Sequence, residues 1–217
     1  LMGDEPLLLA RAAPVIVSRD RAIGAALAAD EKADVIVMDD GHQNFALAKD
    51  LSLVVVDGAD GMGNGMVLPA GPLRETVAQG LARADAVIVM GGGTPDLDGY
   101  AGPVLRAWLE PQPHDLAGRK VFAFAGIGRP QKFFDTLRAV GAFVEGAESY
   151  ADHYFYRQDD LAALRAQARL KGAQLVTTEK DLVRIAPEQR EGIAALAVRA
   201  RFENPAALEA LLDRIFP

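Results

Sequence analysis

Short apolar runs rich in β-branched residues, separated by helix-like segments, constrain the fold of this sequence more than any other feature. The clearest runs are residues 35–38, 53–56 and 87–90, each apolar at consecutive positions. Strands that are buried on both faces show this pattern, whereas half-exposed strands alternate. Helical segments between such strands are typical of right-handed βαβ units. The sequence therefore predicts an α/β fold with a largely parallel sheet flanked by helices.

Weaker patterns complete the predicted elements. We expect further strands at residues 15–17, 104–109, 121–124 and 174–176, and helices over residues 6–12, 22–29, 131–140, 159–170 and 205–215. Prolines and glycines are frequent between residues 93 and 119 and favour a hinge there. We therefore predict a core domain over residues 1–100 and a second, smaller α/β lobe over residues 101–217.

Composition excludes several classes of function. The formal net charge of −7 argues against a general nucleic-acid-binding protein. The chain has no cysteine, which excludes disulfides and thiolate metal sites. No apolar run approaches the roughly 20 residues that a membrane-spanning helix needs.

Two adjacent aspartates follow the predicted strand at residues 35–38. Ligands of open parallel sheets bind at the carboxyl ends of the strands, where Asp39 and Asp40 would lie. Carboxylate oxygens are suitable Mg²⁺ ligands, and one or two of them suffice. The alternative is an ordinary turn, since Asp-Gly is common turn chemistry. His42, Gln43 and Asn44 in the same loop favour a functional site.

Two segments in the second half carry candidate polar groups. His153 follows Asp152 and is surrounded by aromatic residues, so it is a candidate for proton transfer, although a packing role is the alternative. Thr178 and Lys180 lie where a predicted strand runs into a helix, which suits an anion such as phosphate. There the alternative is a threonine N-cap before an acidic first turn.

Two glycine-containing loops are less specific. Residues 68–75 form a proline-glycine loop that presents Arg74, which would clamp a phosphate or pair with a neighbouring acid. Gly126-Ile127-Gly128 permits close backbone approach but completes no nucleotide-binding fingerprint. The chain contains no Walker A pattern, and Gly91-Gly92-Gly93-Thr94 lacks the lysine.

Taken in order, these motifs resemble those of the lipid A 4'-kinases, the tetraacyldisaccharide 4'-kinase family. The resemblance runs the length of the chain and rests on Gly3-Asp4-Glu5-Pro6, Asp39-Asp40-Gly41-His42-Gln43, residues 68–75, Gly126-Ile127-Gly128, Asp152-His153-Tyr154 and residues 177–182. It implies a P-loop-NTPase-like fold. It also implies transfer of the γ-phosphoryl group of ATP, with Mg²⁺, to the 4'-hydroxyl of a tetraacyldisaccharide 1-phosphate.

The resemblance assigns roles residue by residue. Asp4 matches the catalytic aspartate and His153 the histidine that works with it. Asp39 and Asp40 match the acidic pair implicated in Mg²⁺ and ATP binding, and Gln43 a position near the nucleotide. A role in lining the substrate site is implied for Arg21, Arg74, Thr178 and Lys180.

The resemblance also raises expectations about the whole protein. The family's apolar membrane-associated helix and Walker A loop would precede residue 1, so we expect this chain to be an impaired fragment, soluble or peripheral at the cytoplasmic face of the inner membrane. The alternative function is a non-catalytic module that binds a glycolipid or phosphosugar. A phospho-accepting receiver domain is a further alternative, although Thr178 and Lys180 are too close in sequence for it.

Overall fold

A computed structural model describes residues 3–97 and 99–215; Leu1, Met2, Asp98, Phe216 and Pro217 lie outside them. The helices are α1 (Asp4–Leu9), α2 (Arg21–Asp30), α3 (Val77–Leu81), α4 (Pro130–Ala139), α5 (Gln158–Leu170), α6 (Glu179–Arg184) and α7 (Pro205–Leu212). The strands are β1 (Leu53–Asp57), β2 (Ala86–Met90), β3 (Val104–Pro111), β4 (Lys120–Ala125), β5 (Phe143–Ser149), β6 (Gln174–Thr178), β7 (Ile193–Leu196) and β8 (Val198–Phe202).

The chain packs as two compact units. One is formed by Leu1–Val17 and Pro111–Arg199, the other by Ser18–Glu110 and Ala200–Pro217. We call them the first and second unit. The domain division predicted at residues 100 and 101 stays a prediction.

The first unit is built on a parallel four-stranded sheet of order β5-β4-β6-β7. Strand β4 is buried on both faces, which explains its unbroken apolar sequence. Val121 and Ala123 pack on the face that α4 covers, against Phe134 and Leu137. The alternate residue Phe124 points to the opposite face, where α5 supplies Leu161 and Leu164. The α4 helix ends before Gly141, whose φ of 85° suits a residue without a side chain.

The second unit contains a four-stranded sheet of order β1-β2-β3-β8, in which β1, β2 and β3 are parallel. Strand β2 is its buried centre. Ile88 packs with Leu211 of α7 on one face, whereas Val87 and Val89 pack with Leu81 of α3 on the other. The predicted α/β class with largely parallel sheets is confirmed.

Two predicted strands are wrong. Residues 15–17 and 35–38 form no strand, and the exposed fraction of Val37 reaches 91%. Their β-branched sequences favour extended backbone, but a strand also needs a neighbour to hydrogen-bond with. The part of the chain that the structure describes gives neither segment such a neighbour. The helix predicted from residue 6 begins earlier, at Asp4, where two acidic residues occupy its first turn.

The helices of the described residues are short. The 13-residue α5 is the longest among them, and none is both long and apolar enough to cross a lipid bilayer.

Helix α5 offers a matched test of the first unit's core. Leu161 is fully buried in it, whereas Leu170, on the same helix, is 82% exposed. We expect Leu161→Ala to lower the free energy of unfolding by about 2–5 kcal/mol, because it leaves a cavity that the packed sheet cannot fill. Leu170→Ala should change it by less than about 0.5 kcal/mol. Urea denaturation followed by circular dichroism measures both, and equal losses would contradict this packing.

Candidate active site

A buried aspartate and an exposed histidine form the centre of the candidate site in the first unit. Asp4 Oδ1 lies 2.9 Å from His153 Nδ1. The Asp4 side chain is 3% exposed, whereas that of His153 is 56% exposed. The two residues predicted to be catalytic are therefore brought together from positions 149 residues apart. Their roles in catalysis stay a prediction.

Local backbone geometry orients the side chains of Asp4 and His153. Asp4 is the first residue of α1, which packs against α6. His153 has a left-handed φ of 58°, and its N–H donates to the Gly126 carbonyl at 3.1 Å and to Asp152 Oδ1 at 3.0 Å. These bonds fix the turn after β5, so that the imidazole is directed to Asp4.

A buried arginine holds the other oxygen of Asp4. Arg184 of α6, with a side chain only 4% exposed, donates from Nη2 to Asp4 Oδ2. Its Nη1 donates to the Gly126 carbonyl at 2.6 Å and to Asp181 Oδ1 at 3.1 Å. Asp4 is therefore bound on both oxygens, by a guanidinium on one and an imidazole on the other.

Asp181 is fully buried and is itself fixed by three donors. Its carboxylate accepts from the Gly126 N–H at 2.9 Å, the Tyr156 hydroxyl at 2.8 Å and the Thr178 hydroxyl at 2.6 Å. The Thr178 side chain also accepts from Asp181 N at 3.0 Å, so the N-cap expected as its alternative role is present. We call Asp4, His153, Asp181 and Arg184 the buried-arginine network.

The buried-arginine network shifts the pKa values of Asp4 and Tyr156. Burial raises the pKa of Asp4, but the hydrogen bond and charge of Arg184, with a contribution from Glu5, outweigh it and lower that pKa to about 2. Burial and the charge of Asp181 raise the pKa of Tyr156 well above its usual value, so the phenol stays a donor. At neutral pH Asp4 is a carboxylate.

A second ion pair borders the network. Lys180 Nζ lies 3.0 Å from Glu5 Oε1, at the start of α1. One ligand atom each of Asp4, Glu5 and His153 lies within 4.8 Å of the others. Because both oxygens of the buried Asp4 already accept hydrogen bonds, one from Arg184 and one from His153, we assign no metal there.

Other predicted residues lie in the second unit, on an exposed surface. Arg74 Nη1 lies 2.9 Å from Asp40 Oδ2, with both side chains more than half exposed. Arg74 therefore pairs with an acid, one of the two roles expected for it. Arg21 makes a long contact of 3.4 Å with the backbone carbonyl of Asp39. Asp39 is exposed. Two exposed carboxylates suit Mg²⁺ by donor chemistry.

A shallow cavity of about 460 Å³ adjoins this ion pair, lined by Gln43, Phe45, Arg74, Glu75, Gln79 and Arg83. Gln43 Nε2 donates to Glu75 Oε1 at 3.0 Å, and Arg83 lies 4.9 Å over the Phe45 ring. Although burial raises the pKa of Glu75, the hydrogen bonds of Arg83 and Gln43 lower it overall.

The proline-glycine loop positions Arg74 through close backbone packing. A Cβ on Gly71 would lie 2.2 Å from Asn64 Oδ1 and 2.3 Å from the Met66 carbonyl, so only glycine fits. His42 is structural by contrast. Its Nε2 donates to the Gly80 carbonyl at 2.9 Å, and its Nδ1 forms a hydrogen bond with the Ser52 hydroxyl at 2.6 Å.

Comparison with known proteins decides the family. The sequence model described as tetraacyldisaccharide-1-P 4'-kinase matches residues 1–216. The chain belongs to the tetraacyldisaccharide 4'-kinase family.

Relatives agree with this assignment. A tetraacyldisaccharide 4'-kinase of Rhodospirillum rubrum is 53% identical over 99% of this chain and 67% of that protein. One of Rhodospirillum centenum is 54% identical over 97% of this chain and 64% of that protein. The crystal structure of LpxK from Aquifex aeolicus in complex with ATP aligns with a TM-score of 0.74 at 29% identity, over 99% of this chain and 69% of that one. The chain thus spans about two thirds of the length of these relatives.

Kinase family membership confirms the resemblance and the P-loop-kinase class of fold, and does not favour a non-catalytic binding module. Sequence reasoning missed Arg184 and gave Asp181 no role. One signal was available: the two residues are three apart in a short helix that follows a strand end, so they lie on the same side of α6.

The depressed pKa of Asp4 has a consequence for stability in acid. A carboxyl whose pKa is lowered from 3.8 to about 2 stabilises the folded state above its unfolded pKa and loses this effect as pH falls toward 2. We expect a loss of about 2 kcal/mol for Asp4→Asn at pH 7, which shrinks by about half at pH 3. Denaturation of both proteins from pH 7 to pH 3 measures the difference, with the exposed Asp34→Asn as control. A difference that does not change with pH would contradict ionisation of Asp4 as its source.

Proposed function

We propose that this protein transfers the γ-phosphoryl group of ATP to the 4'-hydroxyl of a tetraacyldisaccharide 1-phosphate, a step of lipid A synthesis. The observation that carries the proposal is the 2.9 Å contact of His153 with a buried, ionised Asp4 in a member of this kinase family. A sugar hydroxyl is a poor nucleophile, and a positioned base that takes its proton makes it a better one.

His153 supplies that base. Because Nδ1–H donates a hydrogen bond to Asp4, the lone pair of the neutral imidazole is on Nε2. The His153 side chain is more than half exposed. Asp152 Oδ2 is 3.9 Å from Nε2, too far for a hydrogen bond, and leaves that lone pair accessible. As the sugar oxygen bonds to phosphorus, Nε2 takes its proton, the bond to the ADP oxygen breaks, and Asp4 balances the imidazolium charge.

Asp39 and Asp40 are the residues that would hold Mg²⁺, which neutralises charge on the phosphates and aligns them for transfer. Arg74 and Lys180 are cations that would contact the anionic groups of the substrates. By the family resemblance, Arg21 and Thr178 would also contact the acceptor substrate, and Gln43 the nucleotide. Arg74 and Lys180 are paired with carboxylates at exposed positions. Such pairs contribute only about 0–1 kcal/mol, so a phosphate can replace the carboxylate at small cost. From the family resemblance and the acylated substrate, we propose that the reaction takes place at the cytoplasmic face of the bacterial inner membrane.

The direct test is transfer of labelled phosphate from Mg²⁺-ATP to tetraacyldisaccharide 1-phosphate. It uses the complete product of the gene, so that the result does not depend on residues beyond this chain. We expect His153→Ala to lower kcat by about 10²–10⁴, the usual worth of a general base. His114→Ala, which removes an exposed histidine of the same unit, should leave kcat unchanged. Absence of transfer by the folded wild-type protein would refute the kinase function.

The Mg²⁺ assignment has its own test. We expect Asp40→Asn to raise the Mg²⁺ concentration needed for half-maximal activity at least tenfold, because a hard, charged ligand is lost. The variant should fold, since the pair that it breaks with Arg74 is exposed. Asp34→Asn, an exposed carboxylate nearby in sequence, serves as control. An unchanged Mg²⁺ dependence in Asp40→Asn would remove Asp40 from the metal site.

A further inference from the structure

Arg184 is an unusual residue for the interior of the first unit. Its side chain is 4% exposed, and its buried Nε–H has no hydrogen-bond partner among the described residues. Burying a charge and leaving a donor unsatisfied both oppose folding. A buried ion pair is moreover often no more stabilising than apolar residues of the same volume. Stability alone therefore does not account for an arginine at this position.

The surroundings of Arg184 restrict it to one orientation. Asp181 is held in place by the Gly126 N–H and by two side-chain hydroxyls, so it is a fixed anion. Arg184 bonds to this anion and to the Gly126 carbonyl through the same nitrogen, Nη1. Its other terminal nitrogen, Nη2, can then only point to Asp4, where it donates to Oδ2.

This orientation has a chemical consequence at the histidine. With Oδ2 occupied by Arg184, Asp4 presents Oδ1 alone to His153 Nδ1, at 2.9 Å. An ionised carboxylate can only accept, so Nδ1 carries the proton and Nε2 is left as the acceptor. Nη2 of Arg184 also lies 3.4 Å from His153 Nδ1.

We propose that Arg184 is a positioning residue of the Asp4–His153 pair, which it holds with Asp4 ionised and His153 in the tautomer whose Nε2 accepts a proton. The inference rests on the proposed kinase function. Among the described residues, other charged or titratable groups near the pair on α1, α6 and the loop after β5 include Glu5, Asp152, Tyr156, Lys180 and Asp181.

Kinetics of two variants test the proposal. Arg184→Gln removes the charge, which leaves Asp4 uncompensated against His153 and favours the protonated ring. We expect the acid limb of the kcat profile to move up by about one pH unit and kcat at the optimum to fall about 10²-fold, with KM within threefold. Arg184→Lys keeps a charge but loses the two-pronged geometry, so kcat should fall about tenfold with the acid limb in place.

Arg190→Gln is the matched control. Arg190 is also partly buried and donates to the carbonyls of Ile185 and Val183. The Arg190→Gln variant should have a lower free energy of unfolding but the same pH profile of kcat as the wild type. A wild-type pH profile in Arg184→Gln, or the same shift in Arg190→Gln, would overturn the proposal. If Arg184→Gln does not fold, Arg184→Lys decides, because wild-type kcat in that variant would contradict positioning by the guanidinium.

A spectroscopic readout separates this inference from the kinase function. The chain has three histidines, so the ¹⁵N signals of His153 can be assigned with His42→Ala and His114→Ala. We expect the signals of the wild type to show Nδ1–H, and those of Arg184→Gln to show a larger fraction of the doubly protonated ring at the same pH. A protein that transfers no phosphate but shows this change would refute only the proposed function. An active protein whose His153 signals are the same in the wild type and in Arg184→Gln at every pH would refute only the role of Arg184.

Discussion

The ion pair between Asp181 and Arg184 is the interaction on which the candidate site depends. Both groups are buried, and charges in an apolar interior are tolerated only when their partners are fixed. The Asp181 carboxylate is fixed by hydrogen bonds from the backbone N–H of Gly126 and from the hydroxyls of Tyr156 and Thr178. The strand end at β4, the loop after β5 and the start of α6 are thus joined at one carboxylate, and Arg184 transmits its position to Asp4.

This arrangement explains how a very short helix can hold a reactive group in place. Helix α1 has six residues, too few to be stable alone, and its Leu7 and Leu9 are exposed. Of its apolar residues, Pro6 and Leu8 are only partly buried, so apolar packing contributes little to its position. Contact with α6 and the ion pair of Asp4 with Arg184 hold the helix in place. Directional polar bonds fix an angle as well as a distance, which catalysis requires and a hydrophobic contact does not supply.

The same distinction explains how far the sequence could be interpreted. The run in β4 predicted its strand because burial on both faces requires apolar residues at every position, a local property. Residues 35–38 show the same local property but form no strand, because pairing depends on a neighbour that the run itself does not specify. Asp4 and His153 were named through motif resemblance, and the structure brings them together. Arg184 was missed because its function comes from partners at positions 4, 126 and 181, of which only the last is near in sequence.

The buried charges that bind Asp4 and the partly exposed ion pairs of Arg74 and Lys180 differ in exposure, and this difference suits them to different tasks. The charges around Asp4 are buried, so dissolved salt screens them little and their geometry is held in every encounter with substrate. The pairs Asp40–Arg74 and Glu5–Lys180 are partly exposed and weak, so each cation can exchange its carboxylate for a phosphate. A group that moves a proton must be rigid before the substrate arrives, whereas a group that binds phosphate must be able to release its resting partner. The distribution of burial across these residues meets both requirements.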